Sequence, residues 1–327
     1  MKNKKFILIL IAILLTISAF GCRPQERPEG RRNPGDGDIP PIPEEISQGE
    51  GKEPRLKVYL VENQGIKEMN FEEYVEGVLA GEMHNDWPEE ALAAQAILAR
   101  TFVMEFVTSK GGSKYEGAHV STDIEEAQAW DAAKINDRIK EAVQRTRGMV
   151  ALHEDEYIKA WFHAHAGGKT ATAKEGLAFE EEEPPYIQVV ESPDSAEAPP
   201  EDTNWRAEFT KDKIKQAVSE SGQQVADFSA IEVVETGPSG RATKLQIGEA
   251  TVNAASFRVA LDSTKMKSTQ LKNISVEGNK VIMEGVGYGH GVGLSQWGAY
   301  QMAKDGKSAS EIITYYFKNV RVVNLWD

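Results

Sequence analysis

Cysteine occurs once in 327 residues, at Cys22, so neither an internal disulfide framework nor a cysteine-rich metal site can form within the chain. Positive charge is in deficit: 37 Lys and Arg stand against 51 Asp and Glu, a formal net charge of −14. Phosphate backbones and anionic lipid surfaces are held by clustered cations. A chain this acidic is therefore not built for nucleic acid, and its substrate is not expected to be a polyanion. Internal repeats are missing too, and the glycine-rich stretch near the C-terminus has neither a Walker lysine nor dinucleotide spacing. From Arg55 to Asp327 the chain is long enough for one large domain or two small ones.

What is present starts with FEEYVEGVLAGEMHNDWPEEALAAQAILAR, Phe71 to Arg100. Phe71, Tyr74, Val75, Val78 and Leu79 recur at the spacing of one buried helix face, and the next position on that stripe is Glu82. A carboxylate withdrawn from water gains proton affinity and suits a general acid. The bland alternative is a head group that reaches solvent or pairs with a buried arginine. Glu72, Glu73 and Glu76 fall on other faces and read as solvated charges. After the break at HNDWPEE, where Asp86 can cap and Pro88 can sit in the first turn, Ala91 to Val107 is apolar nearly all round and predicts a buried helix. Gln95 and Arg100 interrupt it. A buried guanidinium needs a carboxylate or several carbonyls, so Arg100 is either a structural tie or a substrate contact.

Lys2, Lys4 and Lys5 precede an almost wholly apolar run from Phe6 to Phe20, the arrangement of an export signal and short for a membrane span. Cys22, directly after Gly21, stands where a bacterial lipoprotein is lipidated, although Ala19 and Phe20 depart from the usual pattern; an uncleaved anchor is the alternative. Either way the expectation is an extracytoplasmic protein tethered to the cell membrane. Arg23 to Pro54, rich in Pro, Gly, Arg and Glu, predicts a disordered tether, leaving 55–327 as the working domain.

Within that domain Leu56 to Val61 predicts a strand and Asp137 to Arg147 a helix. Gly148 to Leu152 and Ala160 to Ala166 suggest a hairpin-like pair around HEDEY, and Phe209 to Ser219 a helix near Thr210. Strand patterns follow at Ile231–Val234, Lys244–Ile247, Ala250–Val252 and Lys280–Met283. The fold class is α+β: an early helical pair carrying Glu82, mixed or antiparallel strands later, and a glycine-rich segment followed by a helix. His163 and His165 share one strand face. No third ligand is evident for a metal, and hydrogen bonding beside a cleft suits them better. Gly285, Gly287, Gly289, Gly291 and Gly293 alternate around His290, ahead of Ser295 and Gln296. Such a ribbon lets backbone amides approach a ligand, with sugar hydroxyls and acetamido groups as candidates, or makes a tight structural turn.

Six successive blocks, YVEGVLAGEM, WPEEALAAQAILARTF, FHAHAGGKT, PYIQVVESPD, SGRATKLQI with FRVALDSTKMKST, and GYGHGVGLSQWGAYQMAKDGKSASEIITYYF, resemble those of the stage II sporulation protein D (SpoIID/LytB) family in order and spacing. The resemblance implies a bacterial cell-wall enzyme. It implies a lytic transglycosylase that cuts the MurNAc-β-1,4-GlcNAc bond of peptide-denuded peptidoglycan strands and leaves 1,6-anhydroMurNAc ends. It places the catalytic glutamate on Glu82 and implies no cofactor. Gln95, Arg100, His163, His290, Ser295 and Gln296 become candidates for holding the glycan. Departures from the family pattern are Ala164, His165 and Ala166, where hydroxylated residues are usual, and the cysteine-free loop Glu125 to Trp130, for which no zinc is expected. The competing reading is a non-catalytic, wall-binding activator of a cell-wall amidase.

Overall fold

The computed structural model describes residues 37–327; the expected export signal, Cys22 and residues 23–36 lie outside the described residues. Alternating apolar positions form β1, Arg55–Leu60, which pairs antiparallel with β2, Gly65–Asn70. Asn70 opens α1, Phe71–Glu82, whose predicted stripe is buried. Pro88, not Asp86, flanks α2, Glu89–Lys110, and no side chain caps that helix. Helix α2 ends at Gly111, whose φ of 72° is left-handed and costs glycine little. β3, Val120–Ser121, runs parallel to β1. A loop and a single 3-10 turn, Ala132–Lys134, then lead to α3, Asp137–Arg145, which Asn136 caps through Ile139 N.

β4, Met149–His153, turns through Glu154 and Asp155, both at positive φ, onto β5, Glu156–Tyr157. The hairpin therefore closes inside HEDEY, and 160–166 is not its second strand. That segment instead holds β6, Phe162–His163, followed by α4, Ala173–Leu177, with a capping box between Thr172 and Glu175. After α5, Pro200–Thr203, comes β7, Asn204–Thr210, whose alternation buries Trp205, Ala207 and Phe209. Phe209 thus belongs to a strand, and the helix expected there, α6, runs Lys211–Glu220 with Thr210 as its cap.

Strands β8, Ile231–Thr236, β9, Ala242–Ile247, and β10, Ala250–Asn253, form one antiparallel sheet in the order β10-β9-β8. α7, Ala254–Asp262, leads to β11, Leu271–Glu277, and β12, Lys280–Val286, which pair antiparallel and complete a second sheet with β7. β13, Leu294–Ser295, lies parallel to β6. α8, Gln296–Lys304, α9, Ala309–Tyr316, and β14, Arg321–Asn324, close the chain, with β14 on the free edge of β4. The class is α+β, with mostly antiparallel sheets.

Two apolar cores result. One gathers α1, α2, α3, α8 and α9 around Phe71, Tyr74, Leu92, Ile97, Ile312, Tyr316 and Trp326. The other lies within 205–283, between the two sheets' apolar faces, α6 and α7, and includes Trp205, Ile214, Phe257 and Val281. The strand-rich block is therefore inserted between helices of the first core. Residues 37–54 depart from the expected tether. Ile46 is fully buried and its carbonyl accepts from Arg55 N at 3.0 Å, while Glu53 accepts from Glu72 N and pairs with Arg147 at 2.6 Å. Ile42 also packs on the first core, Asp38 O accepts from Arg321 and Pro54 O from Phe71 N, so several contacts together hold this polar segment in place.

Candidate functional site

Glu82 is the last residue of α1 and stays in partial contact with solvent. One face of α1's last turns is made of Gly77 and Gly81, four residues apart, and the segment 128–131 lies against it. A Cβ on Gly81 would come within 2.7 Å of Ala129 C and Trp130 N, and one on Gly77 would overlap the Trp130 indole. Asp131 N donates to Gly77 O at 2.9 Å, and Ala129 N donates to Glu82 Oε1 at 2.7 Å. Upstream the strap is anchored by Glu126, which accepts from Ser113 Oγ, Ser121 Oγ and Lys114 N at 2.5–2.6 Å. From the far end of the chain Gln296 Nε2 donates to the Glu82 carbonyl at 3.2 Å.

Burial pushes the Glu82 carboxyl up to about 7, against the opposing pull of the Ala129 hydrogen bond. No cation pairs with it among the described residues. The carboxyl therefore holds a proton near neutrality while the residue keeps partial contact with solvent, both of which a general acid needs. On the segment 128–131, Gln128 is buried and Trp130 half-buried, and the Gln128 amide atoms and Trp130 Nε1 are buried without a protein partner. The sequence marked 125–130 only as a cysteine-free loop; the one signal of its contact with Glu82 was the pair of glycines on an otherwise well-formed helix.

Of the predicted substrate contacts, Gln296 alone bonds to Glu82. Arg100 is fully buried and donates to both oxygens of Glu72, at 3.1 and 2.6 Å, and to Met149 O at 2.8 Å. Glu72 also accepts from Gly148 N and Trp326 Nε1. Arg100 is thus a structural tie, with no surface exposed to a glycan, and Glu72 is not the solvated charge its helix position suggests. Gln95 is likewise fully buried, both amide atoms without a protein partner.

His163 donates from Nδ1 to Val292 O at 3.2 Å, and its buried Nε2 has no partner. His290 accepts from Val292 N at 3.0 Å, its ring 5.7 Å from that of His163. Burial and neighbouring positive groups keep both neutral, His290 down to about 3. His165 does not project into a wet face: it is buried, accepts from Gly167 N and lies 3.4 Å from Asp194. Ser295 Oγ caps α8 and donates to Asp194 at 2.6 Å, so it too is structural.

The glycine ribbon is a packing device. Gly289 presses on His163, Gly291 on the Arg241 guanidinium and Gly293 on Trp161 O, each closer than a Cβ allows. Its amides at Tyr288, Gly289, Val292 and Leu294 are already bonded within the protein. It is not an amide ladder facing a ligand. Among the described residues, no group of three or more His, Cys, Asp or Glu could hold a metal ion.

Residues 61–153, which carry α1, α2 and the strap, match the family described as Stage II sporulation protein, and residues 188–293 match a domain of unknown function (DUF8618). Stage II sporulation protein D of Bacillus amyloliquefaciens is 27% identical over 96% of this chain and 92% of its own length. An uncharacterized protein of Brachyspira hyodysenteriae is 32% identical over 79% of this chain and 68% of its own. The chain belongs to the stage II sporulation protein D family. An amidase enhancer of Bacillus subtilis is 25% identical over 74% of this chain and 39% of that longer protein. The family match at 61–153 includes Glu82, Gln95 and Arg100, whereas Gln296 lies beyond both matches.

Proposed function

We propose that this stage II sporulation protein D relative is a lytic transglycosylase acting on peptide-free peptidoglycan strands outside the cell membrane, to which its N-terminus tethers it. The observation that carries this reading is Glu82: a carboxyl raised to about 7 by burial, held by a backbone amide and without a counter-ion among the described residues. Protonated Glu82 donates to the glycosidic oxygen as the C1–O bond breaks through an oxocarbenium-like state. The carboxylate so formed takes the proton of the C6 hydroxyl as that oxygen closes on C1, giving a 1,6-anhydro ring. One carboxyl serves twice and no water is consumed. Ala129 N–H supports the carboxylate stage, when charge is greatest.

Digestion of peptide-free glycan strands followed by mass analysis of the ends tests the reading. Wild type is expected to leave anhydromuramic ends and Glu82→Gln none. Reducing ends would indicate a hydrolase instead. The similarity to an amidase enhancer supports a second reading, a wall-binding activator of an amidase. It predicts equal stimulation of amidase by wild type and Glu82→Gln, with no glycan cleavage by either.

A further inference from the structure

Directly after Glu82 the chain makes a tight turn, in which Trp87 N donates to His84 O at 3.2 Å and Asn136 Nδ2 to Asn85 O at 3.1 Å. The turn sets His84 face to face with Trp87, rings 5.3 Å apart and 21° from parallel. From α8, the helix whose Gln296 bonds to the Glu82 carbonyl, Trp297 meets Trp87 at 4.5 Å and Tyr300 meets it edge-on at 5.1 Å. The two indoles are nearly covered, at 6% and 8% exposure, whereas His84 is exposed and Tyr300 partly so. Tyr300 Oη donates to Glu197 at 2.7 Å. The cluster is therefore rigid below, with the exposed His84 ring and part of Tyr300 outermost, two residues along the chain from the acid; Lys304 lies 5.4 Å over the Tyr300 ring and pairs with the Glu197 carboxylate at the rim. Such a surface suits the C–H face of a pyranose, whose hydroxyls need acceptors at the edge.

We propose that His84, Trp87, Trp297 and Tyr300 form a sugar-stacking subsite for an N-acetylated hexosamine ring next to the bond cut by Glu82. The assignment rests on the glycan-cleaving reading of Glu82, but its test does not require cleavage. In the Glu82→Gln protein, titration with the β-1,4-linked tetramer of N-acetylglucosamine should quench tryptophan fluorescence saturably. Adding His84→Ala should weaken binding about five-fold, the scale of one lost aromatic stack, with the melting temperature unchanged because that ring is exposed. Tyr300→Leu should weaken it similarly, while Tyr300→Phe, which keeps the ring and loses only the bond to Glu197, should bind within about two-fold of the parent. In cleaving enzyme, His84→Ala should raise KM and leave kcat. Unchanged affinity in both His84→Ala and Tyr300→Leu, or no saturable quenching, overturns the subsite. Tetramer binding by a wild-type protein that cleaves no strand overturns the lytic reading and leaves the subsite standing.

Discussion

At the scale of the residue, Glu82 exacts a stability penalty that can be measured. A carboxyl near 7 when folded and at its ordinary 4.5 when unfolded binds its proton more tightly in the folded state. Its contribution is therefore most favourable below pH 4.5, declines between 4.5 and 7, and above 7 amounts to a penalty of about 2 kcal/mol after discounting for solvent contact. Glu82→Gln removes that dependence. Urea unfolding should show the variant gaining about 2 kcal/mol over wild type on going from pH 4.5 to pH 8; equal differences at both values would mean the site does not raise the proton affinity. Activity of wild type should fall as pH rises through about 7, where the acid form is lost. Arg100→Met makes the opposite point, because it leaves Glu72 buried without its guanidinium. It should cost about 3–5 kcal/mol in urea unfolding, and a raised KM alone in a protein of unchanged stability would restore Arg100 as a substrate contact. Glu82 was legible because it continues its own stripe. Glu72 was not: its partners Arg100 and Trp326 lie 28 and 254 residues away, and helix spacing says nothing about them.

At the scale of the element, the strap and the two glycines under it decide what Glu82 can do. Alanine is the better helix former by about 1 kcal/mol, so Gly81→Ala would ordinarily firm up α1. Here the added methyl meets Ala129 C at 2.7 Å and the strap has to lift. Lifting it removes the Ala129 hydrogen bond and admits water to the carboxyl. The two changes oppose each other on the carboxyl, the lost bond raising its proton affinity and the water lowering it, and burial is the larger cause: kcat should drop by at least about ten-fold, and the limb of the pH profile that marks Glu82 should move down from about 7 toward the ordinary carboxylate range. An unshifted limb with reduced activity would assign the strap to glycan contact alone. The glycine ribbon offers the converse lesson. Alternating glycines are equally compatible with a ligand surface and with close packing, and the choice is made by His163, Arg241 and Trp161, which arrive from other parts of the chain. Periodicity located α1, α2, α6 and the strands β8 to β10; it could not tell which side of a bare backbone would be occupied.

At the scale of the whole molecule, the strand-rich block enters and leaves the first core, an arrangement that local pattern cannot reveal because each strand's alternation records a buried face and not which core buries it. What joins the block to the segment bearing His163 and His165 is Arg241. Fully buried at the start of the β8–β9 return, it donates to Ala166 O at 2.5 Å and Lys169 O at 2.8 Å, while its own amide and those of its turn are received by Glu175 of α4. Burial lowers its guanidinium to about 10, with Glu175 and Asp194 holding it charged. Two carbonyls and a serine hydroxyl are met by one planar fork, a geometry that a lysine ammonium cannot reproduce. Arg241→Met and Arg241→Lys should therefore both lose about 3 kcal/mol or more in urea unfolding. Because the lost bonds tie the insert to the first core and leave each apolar core intact, the variants should unfold in two resolved steps, seen separately by tryptophan fluorescence and far-UV circular dichroism, where wild type unfolds in one. A single step at reduced stability would mean that the cores hold together through their remaining contacts and that Arg241 is only one buried polar residue among several.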